Sequence, residues 1–102
     1  MLALSEHIES KTDETIKTLD ELVRIQTQVP PGENYEKAMD HAASRLEELD
    51  FEVEKLIMPR ELFEKKNPRL THLSGERVNI SAIKNYGAEK TLLINTHLDV
   101  VP

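Results

Sequence analysis

Residues Thr91 to Pro102 read TLLINTHLDVVP, and this stretch decides how we interpret the rest of the chain. Its apolar and β-branched residues predict a strand, and apolar residues on both faces predict that this strand is central in a sheet. Side chains alternate along a strand, so His97 and Asp99 should lie on one face. A carboxylate can accept the N–H of one ring nitrogen and leave the other nitrogen free to bind a metal. The stretch therefore predicts part of a metal site.

Length and composition bound the class of protein. A chain of 102 residues that is 38% hydrophobic fits one small domain. Its apolar runs are shorter than the roughly 20 residues of a membrane-spanning helix, and the N-terminus does not resemble a secretory signal. We therefore expect a cytoplasmic protein with no membrane partner. Because there is no cysteine, a metal site would have to use His and carboxylates.

The net charge of −6 is spread unevenly along the chain. Residues 1–65 hold 16 acidic and 8 basic residues, whereas residues 66–102 hold 3 acidic and 5 basic ones. Nucleic-acid binding rewards clustered Lys and Arg with few competing carboxylates. The charge pattern therefore disfavours a nucleic-acid partner.

Two amphipathic helices are predicted before the first strand. The first runs from Ser5 to about Gln26, with Ser5 as its N-cap, and ends at Val29-Pro30-Pro31-Gly32 because proline cannot continue a helix. Asn34 can cap the second helix, whose apolar residues recur at steps of three and four from Tyr35 to Leu49. Its small alanines predict close packing against a sheet or another helix.

Strand patterns fill most of the second half. Phe51 to Ile57 alternates with one largely charged face, which predicts a strand near the sheet margin. Residues 58–76 are a long connection with one helical turn near Glu61 to Lys65. Arg77 to Lys84 alternates again, and the Gly-containing turn at 85–90 predicts an antiparallel hairpin with the final strand.

These features resemble the opening of the zinc aminoacylase and carboxypeptidase family, the M20 metallopeptidases, which includes acetylornithine deacetylase, succinyl-diaminopimelate desuccinylase and carboxypeptidase G2. The most specific similarity is between residues 96–102 and the family signature G-H-x-D-V-V-P, with Thr96 where glycine is more usual. Further similarities, which together touch nearly the whole chain, are Ile25-Gln26-Thr27, Pro30-Pro31-Gly32-Glu33, the helix and strand from Leu46 to Phe51, and Arg77-Val78-Asn79-Ile80.

The resemblance implies a fold class and a set of site residues. Residues 1–102 would form the N-terminal part of a three-layer α/β/α zinc-exopeptidase-like catalytic domain, an α/β fold of two helices followed by a mixed β-sheet. His97 would bind one of two zinc ions, and Asp99 would be the catalytic-site carboxylate that orients it. Cobalt or manganese can also occupy His and carboxylate sites. The remaining ligands and the general base would follow Pro102.

The resemblance also implies an activity. Two metals that share a water lower its pKa and polarise the scissile carbonyl, so the parent protein would hydrolyse an N-acyl amino acid, as a deacetylase or desuccinylase, or a peptide. We also expect a homodimer. Residues 1–102 alone are expected to be inactive.

Two alternatives remain open at this point. His97 and Asp99 can form a purely structural hydrogen bond at the end of a strand. The chain can also be a small non-enzymatic α/β module that associates with itself through an exposed strand edge. Metal binding would favour the hydrolase, and tight dimerisation without a metal effect would favour the module.

Other polar residues receive structural interpretations. Those considered for a site are His7, His41, His72, Glu52, Glu54, Arg77 and Asn79. His7 and His41 lie on acidic helical surfaces and should be solvated. His72 lies in a loop, and Glu52 and Glu54 lie on an exposed strand face. Arg77 and Asn79 are expected to hold strand and turn geometry.

Overall fold

The computed structural model describes residues 3–102. It has mixed α/β secondary structure, with a two-stranded antiparallel sheet. Among these residues no helix is both long and apolar enough to cross a membrane. In chain order the elements are α1 (Leu4–Ser10), α2 (Thr12–Val23), α3 (Tyr35–Glu47), β1 (Glu52–Met58), α4 (Arg60–Lys66) and β2 (Arg77–Ile83).

The single first helix predicted from the sequence is wrong, because the structure divides it into α1 and α2. The break lies at Lys11, whose φ and ψ are −100° and 5°. On either side of it Ser10 Oγ donates to His7 O at 2.7 Å and Thr12 Oγ1 donates to Glu9 O at 2.8 Å. Such side-chain hydrogen bonds compete with the helical main-chain bonds. The N-cap of α1 is Ala3, not Ser5.

The second predicted helix is confirmed as α3. Asn34 occupies the N-cap position, in the left-handed region at φ 60°, and its amide donates to Gln26 O at 2.8 Å instead of capping the helix. Ala38 is only 2% exposed where α3 packs against the sheet. The small residue allows the helix to approach the sheet closely, as the alanine pattern predicted.

Strands β1 and β2 lie close to their predicted positions. They pair in the register Glu52↔Ile83 to Met58↔Arg77. Burial alternates along β2, where Val78 is 3% exposed and faces the core. The charged face predicted for β1 is exposed.

Lys55 of β1 links the sheet to α3. Its ammonium forms ion pairs with Asp40 and, at 3.4 Å, with Glu36. The hydrogen bond that this ammonium donates to the Asp40 carboxylate raises the pKa of Lys55 above its ordinary value.

The predicted final strand and its hairpin with β2 are wrong. Residues 84–99 form no strand, and Leu92, Leu93 and Ile94 are 84%, 86% and 78% exposed rather than central. The predicted mixed sheet is also wrong, because the only parallel pairing among residues 3–102 is an isolated bridge between Gln28 and Val100. Hydrogen bonds to the loop after α2, not to β2, hold the end of this segment.

The connection between the strands contains a longer helix than predicted. Helix α4 begins after Pro59 and ends at Lys66, where the Asn67 amide donates to Phe63 O at 3.1 Å. Leu73, further along, is 7% exposed. The buried apolar residues of the described chain are Ala38, Leu73 and Val78.

Arg77 joins four parts of this small fold. Its Nη2 donates to Gly32 O at 2.8 Å and to Gly75 O at 2.9 Å. Its guanidinium lies over the ring of Tyr35, 4.6 Å from the centroid, and near that of Phe63 at 5.2 Å. We call this arrangement the Arg77 clamp. It confirms the structural role expected for the residue.

Replacing Arg77 with lysine should destabilise the protein by about 2 kcal/mol, because an ammonium cannot reproduce the planar fork that bonds two carbonyls and stacks on two rings. Urea denaturation of the wild type and of Arg77→Lys measures the loss. Arg69→Lys, at an exposed position, is the matched control and should leave the midpoint unchanged. Equal midpoints for the two variants would show that the clamp contributes no stability.

Candidate metal-ligand site

The side chains of His97 and Asp99 contact each other, as the sequence predicted. His97 Nδ1 lies 3.0 Å from the carbonyl oxygen of Asp99 and 3.1 Å from its Oδ1. Both partners can only accept, so Nδ1 must carry the hydrogen and donate it. In the neutral ring, the other nitrogen, Nε2, then presents a lone pair. That is the state in which an imidazole binds a metal.

The pair is open to solvent. The His97 side chain is 81% exposed and that of Asp99 is 45% exposed. Because the backbone here is not a strand, the contact arises from the two-residue separation and from the hydrogen bond to the main chain. The imidazole is thus oriented but not enclosed.

Thr27 and Val29 hold the backbone around this pair. Thr27 Oγ1 donates to Leu98 O at 3.1 Å, and the Val29 N–H donates to Val100 O at 2.8 Å. A longer bond, 3.4 Å, runs from the Val100 N–H to Thr27 O. We call these three bonds the Thr27–Val29 clasp. Thr27 is the buried polar residue of the fold, at 3% exposed.

Sequence reasoning did not assign the clasp. In the sequence, Thr27 was assigned no role of its own and belonged only to Ile25-Gln26-Thr27, one of the further similarities to the metallopeptidase family. A partner for Thr27 that lies 71 positions along the chain cannot be found from local periodicity. The sequence feature that could have pointed to Thr27 is its position as a polar residue between the end of a helix and a Pro-Pro-Gly turn.

The turn after the clasp is tied to the rest of the fold. The Gly32 N–H donates to Gln28 O at 2.9 Å, and the Ser74 N–H donates to Pro31 O at 3.0 Å. Gly32 has φ +76°, and a Cβ on it would lie 2.8 Å from Arg77 Nη2. The left-handed backbone therefore favours glycine here, and a Cβ would displace the guanidinium of the clamp.

The described chain holds one oriented imidazole and not a complete metal site. Residues 3–102 contain no group of three or more His, Cys, Asp or Glu placed to hold a metal. A catalytic zinc site uses about three protein ligands and keeps one open position. The donor set of His97 and Asp99 fits one imidazole ligand with the carboxylate that orients it.

The other candidate polar residues do not join this pair. Glu52 and Glu54 are exposed on β1, as expected. His41 is not fully solvated, contrary to the sequence interpretation, because its side chain is 27% exposed against α2. Its Nε2 is buried and lies 3.2 Å from Glu21 Oε2, but it is not aligned for a hydrogen bond.

The cavities of the described chain are small. One of about 30 Å³ lies beside Phe63 and Arg77, and one of about 40 Å³ lies beside Gln28 and Glu33. Each has room for a few water molecules at most. Neither of these two cavities is lined by His97.

No family model matches the chain, and no curated protein or solved structure matches it either. The resemblance to the metallopeptidase family consequently rests on the motif residues quoted from the sequence.

Thr27→Val should loosen the clasp, because it removes the hydroxyl that bonds to Leu98 O and leaves that carbonyl without its partner. We expect a loss of about 1 kcal/mol of stability and faster hydrogen exchange at the Val29 amide. Exchange at the Ala42 amide inside α3 reports on global opening and corrects for it. Thr27→Ser keeps the hydroxyl and should retain slow exchange. Equally fast exchange in both variants would contradict this role of the hydroxyl.

Proposed function

We propose that this chain provides one ligand of a two-metal site in a hydrolase that cleaves the amide bond of an N-acyl amino acid or a peptide. The observation that carries the proposal is the contact of His97 Nδ1 with two acceptors of Asp99, at 3.0 and 3.1 Å. That contact leaves Nε2 for a metal. The surrounding T-H-L-D-V-V-P sequence supports the two-metal hydrolase over other uses of a single histidine.

In this proposal each residue of the pair has a separate role. His97 would hold a metal through Nε2, and Asp99 would keep the proton on Nδ1, fix the ring orientation and raise the basicity of the ligand. The bound metals would supply an activated water and polarise the scissile carbonyl. The Thr27–Val29 clasp would keep the ligand in place by holding the main chain on either side of Asp99.

The proposal requires further ligands. Because zinc needs about three per catalytic site, we assign the others, and the general base, to residues outside 3–102. Zinc is the proposed metal, and cobalt or manganese are substitutes that the same donors accept. The acyl group, acetyl, succinyl or peptidyl, would be selected by residues outside this part of the chain.

Titration with Zn²⁺ tests the ligand directly. We expect the Nε2 resonance of His97 to respond before those of His7, His41 and His72, because its lone pair is free and oriented. Asp99→Asn should weaken the response about tenfold, since the orienting carboxylate is lost. Glu89→Gln removes the same charge from an exposed position and is the matched control. The ligand role would be refuted by a response in which His97 is not preferred, or in which the two variants weaken it equally.

Hydrolysis is tested in the protein that carries the remaining ligands. With N-acetyl and N-succinyl amino acids as substrates, Asp99→Asn should lower kcat by about 10–100-fold, and His97→Ala should lower it further because a metal ligand is removed. His72→Ala, in the connection before β2, should leave kcat unchanged. Full activity of His97→Ala would rule out the proposed reaction.

A further inference from the structure

Helices α2 and α3 are joined through two polar side chains of α3. Arg45 Nη2 donates to Glu14 Oε1 at 3.2 Å and to Thr18 Oγ1 at 3.4 Å. One turn earlier on α3, His41 Nε2 lies 3.2 Å from Glu21 Oε2. Within the described chain α2 has no fully buried residue, so its attachment to α3 depends on polar contacts such as these.

The imidazole of His41 is placed to respond to protonation. Its Nε2 is buried and lies within hydrogen-bonding distance of the Glu21 carboxylate, but it is not aligned with it and has no partner among residues 3–102. A buried polar atom without a partner costs free energy. Histidine gains a proton as the pH falls from 8 to 5, and both nitrogens of the protonated ring are donors. A charge-assisted hydrogen bond is about twice as strong as a neutral one, so protonation strengthens the contact with Glu21.

The positive charges next to His41 on its own helix oppose this protonation only weakly. Arg45 lies one turn after His41 on α3, and its charge is offset by ion pairs with Glu14 at 3.2 Å and with Glu48 at 3.0 Å. Lys37 lies one turn before His41 and is exposed, so solvent and salt weaken its repulsion of the protonated ring.

The charges that face His41 from α2 and from the sheet leave one carboxylate oxygen for it. Lys17 Nζ lies 3.9 Å from Glu21 Oε1, whereas His41 lies beside Oε2 of the same carboxylate. Asp40, the neighbour of His41 on α3, forms an ion pair with Lys55 of β1. Asp40 is thus engaged by the sheet, and Glu21 Oε2 is the acceptor that faces the ring.

We infer that His41 and Glu21 form a pH-sensitive contact, which holds α2 against α3 more firmly when the imidazole is protonated. Carboxylates are still ionised at pH 5.5, so the charge-assisted bond forms there and weakens as the pH rises to 7.5. Residues 24–26 connect α2 to Thr27, so the contact also anchors the segment that enters the Thr27–Val29 clasp. The metal proposed at His97 takes no part in this pairing.

Hydrogen exchange tests whether α2 opens more easily at the higher pH. The quantity to measure is the protection of the Leu19 amide in α2 divided by that of the Ala42 amide in α3, at pH 5.5 and 7.5, with each corrected for its intrinsic exchange rate. The ratio removes global opening and leaves the opening of α2. We expect it to fall about threefold between pH 5.5 and 7.5, as the loss of a partly exposed ion pair would produce.

Three variants identify the group responsible. His41→Gln removes the titrating ring, and Glu21→Gln keeps the side-chain length but removes the charge, so in both the ratio should be equal at pH 5.5 and 7.5. His7→Gln, at an exposed position on α1, is the matched control and should keep the fall of about threefold. The inference would be overturned by a wild-type ratio that does not depend on pH, by a fall that persists in His41→Gln or Glu21→Gln, or by its loss in His7→Gln.

Discussion

The guanidinium of Arg77 is the contact on which this structure depends most. It joins the start of β2 to the turn at Gly32, to the ring of Tyr35 at the start of α3 and to Phe63 of α4. Charge-assisted bonds to carbonyls are among the stronger hydrogen bonds in proteins, and stacking adds to them. Few apolar residues of the described chain are buried, so the contacts of Arg77 join elements that a wider apolar core would join in a larger domain.

The candidate site is attached to that junction through a short series of contacts. The clamp fixes Gly32, whose N–H bonds to Gln28 O, and the residues on either side of Gln28 form the clasp with residues 98–100. His97 therefore occupies a defined position although its own backbone is irregular. Its ring is oriented by Asp99 and stays exposed, as the proposed ligand role requires.

Local patterns predicted the local structure well. The three- and four-residue periodicity located α3, and alternation located β1 and β2, because both patterns report which face of an element is buried. The two-residue spacing placed His97 beside Asp99, although the strand on which that prediction rested does not form. Hydroxyl hydrogen bonds at Ser10 and Thr12 flank the break at Lys11, and the apolar stripe does not reveal them.

Long-range pairings could not be predicted in the same way. The sequence favoured a hairpin between β2 and the final segment because a short Gly-containing turn joins two strand patterns. Instead, β2 pairs with β1 across α4, and the final segment bonds to the loop after α2. Strand partners depend on the competition between all available edges, which no single stretch encodes. The clasp and the clamp are contacts of this kind.

The tautomer of the His97 ring is the most direct test of the account. In a long-range proton–nitrogen spectrum of the metal-free protein, recorded where the ring is neutral, we predict a protonated Nδ1 and an unprotonated Nε2, because Nδ1 faces only acceptors. A ring protonated on Nε2 would contradict the account, since its lone pair would then point at the Asp99 carboxylate and no nitrogen would be left for a metal.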